Sequence, residues 1–237
     1  MNSTLYIVST PIGNFDDISL RALAVLKQAD FIICEEFKEG NRLLRYYGID
    51  KPLEALNEHN EAKDAEAAVE RIKEGANAAL ISDAGTPVFA DPGAKLIHAA
   101  LRKGVKVIPV PGASSILAAL VVSDFNISSF HYVGFLPRKR EERLSKLKDV
   151  STMNTVSVIM ETPYRFRPLI EDCLMIFGKD RRAVVAVDLT METEKIIRGR
   201  LGEIEKESRN APFKAEFVLI IDAPVESTRS KTKSAKS

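Results

Sequence analysis

A chain of 237 residues that is 45% hydrophobic has enough apolar mass for a packed core, and it falls between one large domain and two of ordinary size. Its 34 Lys and Arg against 33 Asp and Glu leave a net charge of +1, which excludes a global basic field and confines any nucleic-acid contact to a local patch. No apolar run approaches the ~18 residues needed to cross a bilayer, and the N-terminus lacks the basic flank and long apolar core of an export signal, so a cytoplasmic protein without a membrane role is expected. Cys34 and Cys173 read as buried reduced thiols. His59, His98 and His131 show no metal-ligand spacing, so no metal is expected; His98 and His131 read as structural residues within a helix and a strand.

The first half alternates strand and helix signals. Leu5 to Ser9 is a strand candidate, and Ile18, Leu20, Leu23, Val25 and Leu26 then recur at helical spacing behind Asp16 and Asp17, either of which suits a helix cap. Phe31 to Cys34 is a second strand. A polar helix is expected over Glu61 to Glu74, stopped at Gly75, followed by a strand at Ala78 to Ile81. Asp91-Pro92 reads as a cap and first turn for a helix running to Gly104; Val105 to Val110 completes the strand set before Pro111-Gly112. Ser114 to Val122 is again helical, and the short polar Ser123 to Ser129 stretch reads as a linker.

Beyond it come strand signals at Val156 to Met160, Ala183 to Val187 and Phe217 to Asp222, with a helix from about Arg165 to Phe177 stopped by Gly178. The expectation is an α/β protein of two α/β domains, 1–123 with a mainly parallel sheet and 130–224 with a mixed one. The stretch 225–237 is expected to be a disordered basic tail, because it mixes Ser, Thr, Lys and Arg with almost nothing apolar.

Three Gly/Pro-rich loops follow strands of the first half, where open α/β sheets take ligands. They are Ser9-Thr10-Pro11-Ile12-Gly13-Asn14, Ser82-Asp83-Ala84-Gly85-Thr86-Pro87 and Pro111-Gly112-Ala113-Ser114-Ser115. Glycine permits close backbone approach, proline stiffens a cradle, Asp83 offers an acceptor for amines or hydroxyls, and Ser114 and Ser115 open a helix where an anion would be welcome. Such loops also occur as plain turns, so alone they do not name a ligand. The absence of G-x-G-x-x-G and G-x-x-x-x-G-K-[ST] disfavours a nicotinamide enzyme, a single-domain methyltransferase of the common type and a phosphate-loop protein.

In their order these motifs resemble those of the small-subunit ribosomal RNA methyltransferase I group of the tetrapyrrole methylases. The likeness is carried by Leu5 to Asn14 with Asp17 to Leu23, by Glu58-His59-Asn60-Glu61, by Ser82 to Pro87 with Asp91-Pro92-Gly93, by Pro109 to Ser115 and by Gly134-Phe135-Leu136-Pro137-Arg138-Lys139. It implies S-adenosylmethionine as cofactor, lying in a cleft between two domains of a homodimeric protein. It implies cofactor contacts at Pro11, Ser82, Asp83, Ala84, Pro87, Ser114 and Ser115, with Met160 and Leu189 added from further along. The implied partner is ribosomal RNA or the small ribosomal subunit, methylated on a ribose 2′-hydroxyl.

Three segments depart from the family pattern. Glu35-Glu36-Phe37-Lys38 stands where E-D-T-R is usual, Glu161-Thr162-Pro163-Tyr164-Arg165 where E-S-P-H-R is usual, and Asp188-Leu189-Thr190-Met191 where E-L-T-K is usual, which marks a divergent member. A ribose hydroxyl needs a proton acceptor, and the candidates are Glu36, Glu58, His59 and Glu161. Each has a plainer reading: Glu58 and His59 suit a helix cap, Glu161 suits an i,i+4 pair with Arg165, and Glu36 a solvated strand end. The cluster Arg138, Lys139 and Arg140 suits phosphate contacts, although Glu141 and Glu142 would fit a solvated helix equally well. Two other readings stay open: a methyltransferase acting on a tetrapyrrole-like small molecule or a protein side chain, and a non-catalytic RNA-binding relative.

Overall fold

A strand buried on both faces does not alternate apolar and polar residues, and the short strands of the first half are of this kind. β2 (Phe31–Cys34) and β4 (Ala78–Ile81) are buried at every position. With β1 (Thr4–Val8), β3 (Leu53–Ala55) and β5 (Lys106–Val110) they form a five-stranded sheet in the order β3-β2-β4-β1-β5, parallel throughout. The computed structural model describes residues 3–57, 61–208 and 214–224. They divide into two units: Met1–Ala118 with Asp188–Glu194, which contains this sheet, and Ala119–Val187 with Lys195–Ser237.

Successive residues of the buried strands serve opposite faces. Phe31 and Ile33 of β2, with Ala78 and Leu80 of β4, join a core with Val69 and Ile72 of α3 (Glu61–Lys73) and Leu96 and Ala100 of α4 (Ala94–Arg102). Ile32, Cys34, Ala79 and Ile81 turn the other way, onto Ala22 and Leu26 of α1 (Leu20–Gln28) and Leu43 and Leu44 of α2 (Phe37–Tyr46). α5 (Ser115–Val121) follows β5.

Two expected caps are corrected. Asp16 and Asp17 belong to a separate 3-10 turn, Phe15–Asp17, capped by Asn14, and Ser19 caps α1 by accepting from the Ala22 N–H at 3.1 Å. Asp91 does not cap α4, because Gly93 at φ 134° breaks the helical backbone after Pro92 and the helix begins only at Ala94. Glu61, 7% exposed and 32 residues upstream, supplies the missing acceptor: its Oε1 takes the N–H groups of Gly93 at 2.8 Å and Lys95 at 2.9 Å. α2, β3 and, later in the chain, the strand Lys195–Arg200 and the helix Leu201–Ser208 go beyond the elements expected from the sequence.

The second unit holds a mixed sheet, in the order β6-β7-β10-β8-β9. β6 (Phe130–Phe135) runs parallel to β7 (Val156–Glu161), whereas β8 (Arg182–Val187), β9 (Lys195–Arg200) and β10 (Phe217–Ile221) pair antiparallel. Its core brings Ile159, Val185 and Leu219 against Leu147 of α6 (Arg140–Ser151), Phe166 and Ile170 of α7 (Phe166–Phe177) and Ile204 of α8 (Leu201–Ser208). Among the described residues no helix is long and apolar enough to cross a membrane. The expected tail, 225–237, lies outside the described residues.

Glu61→Ala should lower stability by about 1–2 kcal/mol, the scale of a lost helix cap. Denaturant unfolding measures the loss, and hydrogen exchange should place it at the first turn of α4.

Candidate active site

In the parallel sheet β1 and β4 are neighbours, yet their chains leave in opposite directions. β1 leads to α1 and on to β2, on one face; β4 leads to α4 and on to β5, on the other. The loops after the two strands must part, and the carboxyl ends of such neighbours form the switch point at which open α/β sheets offer a crevice for ligands.

Hydrogen bonds hold the three loops together below that crevice. The Thr10 N–H donates to the Gly85 carbonyl at 2.8 Å and the Gly85 N–H returns to the Pro11 carbonyl at 3.3 Å. Thr10 is 1% exposed, and its hydroxyl reaches the Ser82 carbonyl at 3.1 Å. Ser9 Oγ lies 2.9 Å from Thr86 Oγ1, which donates to the Ala113 carbonyl at 3.2 Å, so the third loop is tied in as well. Gly112 lets the third loop lie close to the first, since a Cβ there would stand 3.0 Å from Ser9 Cβ and 3.2 Å from the Ser9 carbonyl oxygen, tighter than most such contacts.

Pro11, Ser82 and Pro87 are buried in this floor, Ser114 and Ser115 are half-buried at the start of α5, and Asp83 and Ala84 are exposed at the lip. Partial loss of water raises the Asp83 carboxyl above the ordinary aspartate range, with Glu39 and Glu36 adding in the same direction. Asp91 is raised too, by burial first and then by the Asp83 charge. The Glu36 N–H donates to Asp83 Oδ1 at 3.4 Å, which brings one candidate proton acceptor to the same corner. Beneath it, burial pushes the Cys34 thiol up to about 11, so this cysteine is an inert apolar filler.

The stretch Asp188–Glu194 belongs to the first unit although it joins β8 to β9. Thr190 Oγ1 accepts from the Asn14 N–H at 2.9 Å, and a Cβ on Gly13 would lie 2.7 Å from the Leu189 carbonyl oxygen. Leu189 thus stands beside the first loop. Asp188 at φ 45°, Thr190 at 69° and, in the second loop, Val88 at 77° all adopt left-handed backbone. For non-glycine residues this costs on the order of 1–3 kcal/mol each and persists where surrounding contacts enforce it, as at ligand sites.

The remaining candidates belong to the second unit or lie outside the described residues. Glu58 and His59 lie outside the described residues. Met160 is in β7 of the second unit, its sulfur 3.3 Å from the Tyr132 hydroxyl. Glu161, beside it, is buried. Its Oε1 accepts from the Thr162 N–H at 2.9 Å, and its Oε2 faces Arg165 Nη2 at 3.0 Å without hydrogen-bond geometry, because that nitrogen donates to the carbonyls of Leu136 and Pro137. Arg143 Nε donates to buried Asp172 at 2.8 Å and its Nη1 to the Arg138 carbonyl at 3.1 Å. Two buried acids, each facing an arginine, thus hold the guanidiniums that bind the consecutive carbonyls 136 to 138. From that turn Arg138 and Lys139 project into solvent, Lys139 within 3.2 Å of Glu142, while Arg140 is drawn back to Asp172 at 3.0 Å. His98 is exposed on α4, contrary to the structural role expected of it, and His131 on β6 keeps a buried Nε2 without a partner.

Thr10 and Thr86 lie within the loop motifs but carry no local signal of a role: their hydroxyls matter through cross-loop pairing, which only the strand order reveals.

Comparison with known proteins agrees with this geometry. The family model described as Tetrapyrrole (Corrin/Porphyrin) Methylases matches residues 4–205. The ribosomal RNA small subunit methyltransferase I of Halalkalibacterium halodurans is 36% identical over 219 residues, spanning 92% of this chain and 75% of that protein. That of Pseudomonas aeruginosa is 40% identical over 201 residues, 85% of this chain and 71% of the other. Among solved structures, diphthine synthase superposes with a TM-score of 0.75 at 20% identity, covering 93% of this chain and 90% of its own. Cobalt precorrin-4 methyltransferase superposes with 0.70 at 17%, covering 93% and 95%; at these identities the likeness speaks for the fold alone. The chain belongs to the tetrapyrrole methylases, within them to the ribosomal RNA small subunit methyltransferase I family, and is a methyltransferase whose donor is S-adenosylmethionine.

Proposed function

We propose that this methyltransferase modifies a ribose 2′-hydroxyl of small-subunit ribosomal RNA, with the crevice between the β1 and β4 loops as its donor site. The observation that carries the site is the convergence of three loops at the switch point with a carboxylate, Asp83, at the exposed lip. The RNA acceptor rests on the relatives at 36–40% identity, which are named for that substrate.

The donor set suits the cofactor chemically. Pro11, Ala84 and Pro87 offer apolar and backbone surface for a flat heterocycle, Asp83 offers an acceptor for its hydroxyls or amine, and the Ser114 and Ser115 hydroxyls can donate to its carboxylate. We place Leu189 beside the first loop in the same role. When bound, S-adenosylmethionine supplies a methyl carbon made electrophilic by its sulfonium. The protein's task is then to hold a ribose oxygen in line with that carbon, and orientation of this kind can contribute about 7–11 kcal/mol.

Glu36 is the proton acceptor this arrangement favours. It is exposed, it follows the buried end of β2, and its backbone is hydrogen-bonded to Asp83. With the donor bound, the hydroxyl proton would pass to its carboxylate as the oxygen–carbon bond forms and the methyl–sulfur bond breaks, the electron pair staying on sulfur in the departing neutral thioether. Glu161, 1% exposed at its side chain and facing Arg165, is better suited to holding the turn at Leu136–Arg138. Arg138 and Lys139 on that turn, with Arg140 behind them, are proposed to meet RNA phosphates.

Asp83→Asn should weaken donor binding about 10-fold or more, the scale of a lost hydrogen bond to a charged group at about 1.5–3 kcal/mol. Because the Asp83 carboxyl titrates above the ordinary range and the carboxylate is the binding form, affinity should fall on acidification earlier than an ordinary aspartate would predict. Calorimetry across pH checks both, and the Asn variant should lose that part of the dependence. Incubation with methyl-labelled donor and separate pools of ribosomal RNA, subunits and small metabolites tests the acceptor: label in RNA resistant to alkali at one linkage is expected, and label confined to a metabolite overturns the RNA reading. In the same assay Glu36→Gln should cut kcat by about 100-fold with donor affinity unchanged, the scale of a general base, whereas Glu161→Gln should lower the melting temperature instead.

A further inference from the structure

The helix α2 is anchored at both ends to the donor loops. At its N-terminus the Glu36 N–H donates to Asp83 of the second loop at 3.4 Å. At its C-terminus the hydroxyl of Tyr47 donates to the carbonyl of Phe15, the residue that follows the first loop. Burial, reinforced by Tyr46, Asp16 and Asp17, pushes that phenol up to about 12, so it stays a donor at every physiological pH.

Between these anchors the buried side of α2 is apolar, with Gly40, Leu43 and Leu44 packed away from water, while its outer side carries Lys38, Arg42, Arg45 and Tyr46. Tyr46 is 58% exposed although it is a large ring. It stands edge-on to Phe15 with centroids 4.7 Å apart and edge-on to Tyr47 at 5.0 Å, so its plane is held by neighbours while much of the ring meets solvent. The Arg42 guanidinium lies 5.3 Å from the Phe15 centroid and is steadied by Glu39 at 3.3 Å, with its side chain 68% exposed. Phe37, at the start of the helix and 49% exposed, also walls a cavity of about 520 Å³ with Leu53, Leu56 and Arg71. Lys38, Arg42 and Arg45 stand among the carboxylates of Glu36, Glu39, Asp16 and Asp17, and the two arginines beside fixed exposed rings match the chemistry of single-stranded RNA: bases stack on the rings and phosphates meet the guanidiniums.

We propose that α2 is an RNA-binding platform that presents the acceptor strand to the donor loops, with Tyr46 as a base-stacking surface and Arg42 and Arg45 as phosphate contacts. This rests on the RNA acceptor proposed above. It places a recognition surface in the first unit, independent of the basic turn at Arg138 and Lys139.

The test compares equilibrium binding of deproteinised small-subunit ribosomal RNA by the full chain and its variants over a series of salt concentrations. Arg42→Ala with Arg45→Ala should lower the slope of log affinity against log salt by about 1.4, at about 0.7 per phosphate for single strands. Tyr46→Ala should weaken binding roughly tenfold, the scale of one lost base stack, with the salt slope unchanged, and Tyr46→Phe should bind like the parent protein. Donor uptake by calorimetry should match the parent in all of them; if Tyr46→Ala fails to fold, the exposed arginine pair carries the test alone. Parental affinity and slope in the arginine variant overturn the platform while leaving RNA methylation intact, and so does a result in which only Arg138→Ala with Lys139→Ala flattens the slope. A parent protein that neither binds nor labels RNA overturns both this proposal and the reading beneath it.

Discussion

Everything at the site proposed for the methyl donor depends on β1 and β4 lying side by side with their helices on opposite faces of one sheet. Parallel strands need crossovers, crossovers need covered faces, and covered faces need strands apolar on both sides. Ile32 and Ile33, or Leu80 and Ile81, meet that demand by facing different helices from adjacent positions. The crevice is therefore a by-product of burial, and the polar loop residues only shape it. Thr10, Thr86 and the Gly85 carbonyl close the floor with backbone and hydroxyl bonds, leaving Asp83 as the carboxylate at the lip.

Charge is used differently in the two units. In the second, Asp172 and Glu161 are both 1% exposed at their side chains and each faces an arginine. Burying such pairs brings little net stability, because desolvation offsets the attraction, but removing one member is expensive. Their value lies in geometry, since the two guanidiniums spend their remaining N–H groups on successive carbonyls of one turn. In the first unit, Glu61 does comparable work for a single helix, standing in for a cap that the local chain cannot supply once Gly93 has left helical backbone.

The strands and the long helices were legible because burial on two faces and helical periodicity write directly into residue order, as at Phe31–Cys34 and Phe166–Phe177. Helix α2 was not, because Glu36-Phe37-Lys38-Glu39 begins it with charges and an exposed ring, and only Leu43 and Leu44 betray a buried side. Short edge strand β3 is half-buried along its length and carries little pattern. Caps failed where the partner was distant: nothing near Asp91 in the chain hints that Glu61 will fill its place. The loops of the site were readable as motifs, whereas the bonds that join them, and the contact of Thr190 with Asn14, follow from topology that no local window contains. The family resemblance added the donor's identity, which turns and hydroxyls alone did not specify.

That last contact has a consequence for synthesis. Asn14 leaves the ribosome early, but Thr190, 176 residues later, is made only after β6, β7 and β8 of the second sheet. The first sheet can assemble from its own strands well before then. At about 5–20 residues per second the first loop waits on the order of ten seconds or more for the segment that braces Gly13 and Asn14. A nascent chain can thus own a folded first sheet and still lack the brace on its first loop, so the crevice proposed for the methyl donor is completed only as a late event in the synthesis of each molecule.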